Sequence, residues 1–75
     1  MTKEDEKLFR TIGKRIRELR IKAGYKSQEA FAYEASIPRA QYGRYEKGVN
    51  ITISSLKKVI KYHKISLADF FKDID

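Results

Sequence analysis

Between Pro38 and Gly48 the chain reads PRAQYGRYEKG. Three of its side chains could do directional hydrogen-bond chemistry. A guanidinium such as that of Arg39 or Arg44 can present two N–H groups to the O6 and N7 acceptors of guanine, and the amide of Gln41 pairs in a similar two-pronged way with adenine. Tyr42 and Tyr45, three residues apart, fall on one side of a helix and would hold it to a core. That leaves Arg39, Ala40, Gln41, Gly43 and Arg44 on its free faces, where Ala40 and Gly43 keep the approach to a ligand close.

Other chemistries find no constellation. His63 is the only histidine and cysteine is absent, so neither a metal site nor a disulfide framework is expected, and His63 reads as a half-buried helix residue. The five tyrosines sit in helical periodicities, which favours core or rim packing over stacking on single-stranded bases. Asp69, Asp73 and Asp75 read as caps and solubilising charges. No nucleophile, base and oxyanion group assemble, and no glycine-rich loop could cradle a phosphate. Neither an enzyme nor a cofactor is expected.

Seventy-five residues allow one domain at most, here 1–75, with a core so small that all elements must share it. The chain carries 17 Lys and Arg against 10 Asp and Glu, a net charge of +7. The excess is uneven: from Lys3 to Lys26 there are nine basic and four acidic residues, whereas Ser27 to Gly48 holds three of each. Such a balance commonly meets a polyanion, because each cation that neutralises a phosphate releases condensed counterions. No apolar run approaches the roughly 20 residues that span a bilayer, and MTKEDEKLF lacks the pattern of a signal peptide. A soluble, cytoplasmic protein without a membrane partner is expected.

The elements that must position the arginines are all helical. Leu8, Ile12, Ile16, Leu19 and Ala23 lay an apolar stripe along a first helix, with Lys14, Arg15, Arg17 and Lys22 on its other faces and Gly24 to end it. Thr2 is its candidate N-cap. Ser27 caps a second helix with Phe31, Ala32 and Ala35 inward. Pro38 suits the first turn of a third helix and keeps Ile37 out of helical geometry, so Ala35–Ser36–Ile37 is the turn. The third helix runs to about Lys47. Thr52 caps a fourth helix that faces Ile53, Leu56, Val59, Ile60 and Tyr62 inward, and Ser66 with Asp69 starts a fifth holding Leu67, Phe70 and Phe71. The fold class is all-α, a compact five-helix bundle.

Gln28, Ala32, Ile37, Glu46 and Gly48 together resemble the helix-turn-helix of the phage-repressor-like class, the xenobiotic-response-element family. The flanks IGKRIRELRIKAGY and ISSLKKVIKYHKISLADFF extend the resemblance over nearly the whole chain. It implies a lambda-repressor-like fold, a helix-turn-helix at about 28–47 and a duplex-DNA-binding regulator of transcription. The departures are Ser36 where the turn usually has glycine, Tyr42 and Tyr45 in place of Ile or Leu, an additional Lys26, and Ala30 in place of the capping-box acid. A tyrosine can replace an aliphatic residue where its hydroxyl reaches water or a partner.

In that frame a short turn sets two helices at roughly 90–120°, one crossing the phosphate backbone while the N-terminal end of the other enters the major groove. The resemblance makes Arg39, Ala40 and Arg44 base readers, and Gln41 joins them by its chemistry. Phosphate contacts fall to Gln28, Ser27, Arg20 and Lys47, and to Asn50 and Thr52 at the start of the fourth helix. In relatives the positions of Arg20 and Glu46 form an ion pair. One recognition helix spans too few base pairs to select a genomic site, so a homodimer on an inverted repeat is expected, acting as a repressor. Phe71 and Ile74 cannot both turn inward on so short a fifth helix and are assigned to the dimer interface. The alternative is a protein-interaction adaptor or antitoxin-like protein on the same fold.

Overall fold

The computed structural model describes residues 2–74; Asp75, counted above among the solubilising charges, lies outside them. Five helices follow one another, α1 Lys3–Lys22, α2 Gln28–Ala35, α3 Arg39–Lys47, α4 Ile53–Lys61 and α5 Leu67–Phe71, and no strand occurs among the described residues. None of these helices is long and apolar enough to cross a membrane.

Hydroxyl side chains start four of the five. Thr2, Ser27, Thr52 and Ser66 accept the backbone N–H of Asp5, Ala30, Ser55 and Asp69, each satisfying a donor that has no partner within the first turn. At Ser66 the Asp69 carboxylate accepts the Ser66 N–H in return, completing a capping box. Acidic Glu4, Asp5 and Glu6 lie against the positive end of α1, and Arg20 and Lys22 against its negative end.

The connection from α2 to α3 corrects the expectation by one residue. Pro38 is the N-cap of α3, with ψ at 133°, and not part of its first turn. The chain reverses at Ser36, whose left-handed backbone (φ 57°, ψ 42°) lets the Ile37 N–H reach back to the Ala32 carbonyl at 2.9 Å. That six-to-one bond closes α2 in the way a glycine usually would.

The core gathers where the helices meet. Ile16, Phe31, Tyr42, Leu56, Val59 and Phe70 are fully buried, and Phe31 lies at the centre, with Tyr42 at 4.9 Å, Tyr25 edge-on at 5.1 Å and the His63 ring stacked at 5.1 Å. Three residues expected inside are not. Ala23 is exposed because it caps α1 and has left the stripe. Ile53, the first residue of α4, is 58% exposed, since the inward row of that helix begins only at Leu56. Tyr62, past the last turn of α4, is 41% exposed and meets Phe31 in a T-shaped contact with ring centroids 6.1 Å apart.

Two glycines let α1 and the end of α3 touch backbone to backbone. A Cβ on Gly13 would lie 2.7 Å from the Glu46 carbonyl oxygen and 2.8 Å from that of Tyr45. One on Gly48 would lie 2.6 Å from the Arg10 Cα, and the φ of +93° at Gly48 already disfavours a side chain. Arg15, expected on a solvent face, instead sends Nη1 to the Phe70 carbonyl at 2.8 Å and so ties α5 to α1.

The tail differs from expectation as well. Phe71 packs edge-on against Phe70, and both Phe71 and Ile74 are partly buried against the core. α5 stops at Phe71, Lys72 leaves helical geometry, Asp73 has a positive φ, and Ile74 lines a surface groove together with Leu8 and Thr11 of α1. A chain that leaves the helix can bring both residues partly against the core, and each keeps some of its surface exposed at this end of the bundle.

Candidate nucleic-acid interface

α2 and α3 meet along a shallow groove lined by Gln28, Arg39, Ala40, Gly43, Arg44 and Lys47. Tyr42 and Tyr45 turn the opposite side of α3 into the core. Positions 39, 40, 43, 44 and 47 then follow the spacing of one helical face, which is why the arginines share it. The two ends of the groove are cationic, and Ala40 and Gly43 keep its middle low.

Arg39 and Arg44 are exposed. Among the described residues the one ion pair of Arg39 is with Glu29 at 3.9 Å, with both side chains more than two-thirds exposed, a contact too solvated to hold the guanidinium. Both are free to engage a ligand.

Gln41 does not join them. Its Nε2 donates to the Tyr45 hydroxyl one turn on, and the side chain is half-buried and outside the groove. The physical reason is register: Gln41 lies on the flank that Tyr45 draws toward the core, not on the flank of Arg44.

Behind the groove a buried polar cluster fixes its walls. Arg20 Nε donates to Glu46 Oε2 at 2.7 Å, Arg20 Nη1 to the Tyr25 carbonyl at 2.8 Å, and Gln28 Nε2 to Glu46 Oε1 at 3.0 Å. One carboxylate thus ties α1, α2 and α3 together. The hydrogen bond that the Arg20 guanidinium donates to Glu46 holds it charged, its pKa raised further above an already high value against the opposing effect of burial. Arg20 was also expected to contact phosphate. With 6% of its surface exposed and its donors committed to Glu46 and Tyr25, it is not available for that.

Gln28 keeps a second amide proton, and its Oε1 lies 3.1 Å from where a Gly43 Cβ would stand. The absence of a side chain at Gly43 therefore makes room for Gln28. Neither the Gln28–Glu46 bond nor the role of Gly13 was foreseen; the one available signal was a glycine inside the amphipathic pattern of α1.

The tyrosine hydroxyls differ. That of Tyr45 accepts from Gln41, whereas that of Tyr42 is buried beside the Arg20–Glu46 pair, with no partner in hydrogen-bonding geometry among the described residues. Burial, and next to it the Glu46 carboxylate, push the Tyr42 phenol well above its ordinary pKa, so it stays neutral.

Around the groove, Ser27 and Thr52 spend their oxygens on helix caps, and the Thr52 hydroxyl also donates to Ser55 Oγ at 2.9 Å. Lys47 and Asn50 are exposed. Among the described residues no group of His, Cys, Asp and Glu is placed to hold a metal.

The sequence matches the family described as Helix-turn-helix over residues 16–70. The match covers α2, α3 and α4 whole and most of the packing around them, and the chain belongs to that family, in its phage-repressor-like class. No curated protein and no solved structure matches the chain. A helix-turn-helix of this class binds DNA sequence-specifically and regulates transcription; it is not a catalyst.

Proposed function

We propose that this helix-turn-helix protein represses transcription as a homodimer, laying one α3 in each of two successive major grooves of an inverted-repeat operator. The observation that carries the reading is the groove between α2 and α3, where Arg39 and Arg44 stand free on either side of the low surface of Ala40 and Gly43. In this reading Arg39 and Arg44 each grip a guanine, and Ala40 packs against a base edge. Gln28, Lys47, Asn50, the Ser27 hydroxyl and the first N–H groups of α2 and α4 hold phosphates and set the register.

The whole chain, 1–75, acts as one binding unit. A single α3 reads only a few base pairs, so two copies about a two-fold axis supply the remaining discrimination, with half-sites about one helical turn apart. Repression follows from occupancy where such a site overlaps a promoter.

The test is stoichiometry. Sedimentation velocity of the protein with a duplex selected from a random pool should give two copies per site, and transcription in vitro from a promoter overlapping that site should fall as the site fills. One copy per selected site would remove the homodimer and the inverted repeat.

A further inference from the structure

Two shallow grooves lie apart from the α2–α3 face and share Ile65 in their linings. The first has Ile60, Ile65 and Leu67 as its floor and Lys57, Lys58 and Lys61 at its rim. The second has Leu19, Tyr62 and Ile65 as its floor and Lys22 and Lys64 beside them. No residue of the candidate DNA groove lines either one. Among the described residues no carboxylate lines them either, although the chain carries ten acidic residues. Five lysines therefore line two neighbouring apolar grooves that share Ile65.

We propose that these grooves dock an acidic amphipathic helix of a partner protein, with apolar side chains on Ile60, Ile65 and Leu67 and carboxylates against the lysines. The reading is independent of which base pairs α3 selects. Charge complementarity chooses the occupant. A second copy of the chain, itself at +7, would set lysine against lysine. A nucleic-acid backbone would satisfy the lysines yet leave Ile65 and Leu67 uncovered. A flat bilayer would not fill a concave floor, whereas a single helix with leucines at helical spacing does.

Fluorescence anisotropy with labelled peptides tests this. The probe is a Leu/Glu peptide of about 18 residues, five turns long, with its leucines on one helical face. The controls are a scrambled peptide of the same composition and polyglutamate of the same length. The patterned peptide should bind at least about tenfold more tightly than either control. The variant Lys57→Glu/Lys58→Glu/Lys61→Glu, all three exposed and checked for folding by circular dichroism, should weaken it by about tenfold or more. Lys3→Glu/Lys7→Glu/Lys14→Glu, the same change in net charge away from the groove, should cost no more than about twofold because salt screens distant charges. Equal binding of patterned and scrambled peptides, or equal losses in the two triple variants, would overturn the proposal. So would tighter binding to phosphatidylserine vesicles than to the peptide, or self-association of the wild type that the first triple variant abolishes in sedimentation.

Discussion

Arg20 Nε lies 2.7 Å from Glu46 Oε2, with the two side chains 7% and 2% exposed, so α1 is tied to the last turns of the recognition helix by a charge pair closed off from water. The same carboxylate holds Gln28 of α2. The two helices that form the groove and α1 behind them therefore share one anion, and the groove's geometry depends on it.

Removing that anion strands a buried cation. Glu46→Ala should cost about 3–5 kcal/mol of stability in urea denaturation and lower DNA affinity with it, because Gln28 loses its tether. The double variant Arg20→Ala/Glu46→Ala should lose less than the sum of the single variants. Strict additivity would mean that the pair does not act as one.

Two glycines should respond in opposite ways. At Gly13 an added methyl meets backbone atoms of α3 at 2.7–2.8 Å, and backbone cannot swing aside, so Gly13→Ala should destabilise by about 1–3 kcal/mol or more. At Gly43 it meets only the movable Gln28 Oε1 at 3.1 Å, and alanine improves helix propensity by up to about 1 kcal/mol. Gly43→Ala should leave thermal stability unchanged or raised while weakening DNA binding through the displaced Gln28 and the raised groove floor. Parallel melting curves and titrations separate the two effects.

Ser36 holds a left-handed backbone at φ 57°, which costs an L side chain roughly 1–2 kcal/mol relative to its preferred basins. Ser36→Gly should relieve part of this and raise stability by up to about 1 kcal/mol, measured as the shift in the denaturation midpoint at unchanged slope. A loss of stability would mean that the hydroxyl makes a contact worth more than the strain.

Burial lowers the His63 pKa from its ordinary value near 6.5. Below about pH 6.5 the unfolded chain takes up a proton that the folded chain refuses, so stability is full above that pH and declines as pH falls toward the folded value. His63 is the only histidine, so the slope between pH 6.5 and the range where carboxylates titrate belongs to it, and it can be no steeper than about 1.4 kcal/mol per pH unit. His63→Phe keeps a ring against Phe31 and should flatten this part of the profile. Thermal melts at half-unit pH steps read it directly.

The helices were legible because they repeat. Caps at Thr2, Ser27, Thr52 and Ser66, and the spacing of Ile12 with Ile16 and of Leu56 with Val59 and Ile60, are local signals that one chain segment carries alone. The free positions of Arg39 and Arg44 followed from Tyr42 and Tyr45 in the same way. What periodicity could not show were contacts between distant segments: Arg15 reaching the end of α5, Gly13 beneath the carbonyls of α3, and Gln28 on Glu46. Two further details are of the same kind: the Gln41 amide is held by Tyr45 one turn away, and the chain turns at Asp73, which no apolar spacing encodes.

The central claim is that Arg39 and Arg44 read sequence while Gln28 only positions the protein. Selection from a random duplex pool, repeated with wild type, Arg39→Ala, Arg44→Ala and Gln28→Ala, tests it most directly. Wild type should yield a defined site; each arginine variant should lose preference at its own guanine, at about 1–3 kcal/mol on the wild-type site, and Gln28→Ala should keep the same site at uniformly lower affinity. An unchanged site from both arginine variants would contradict the docking of α3 in the major groove.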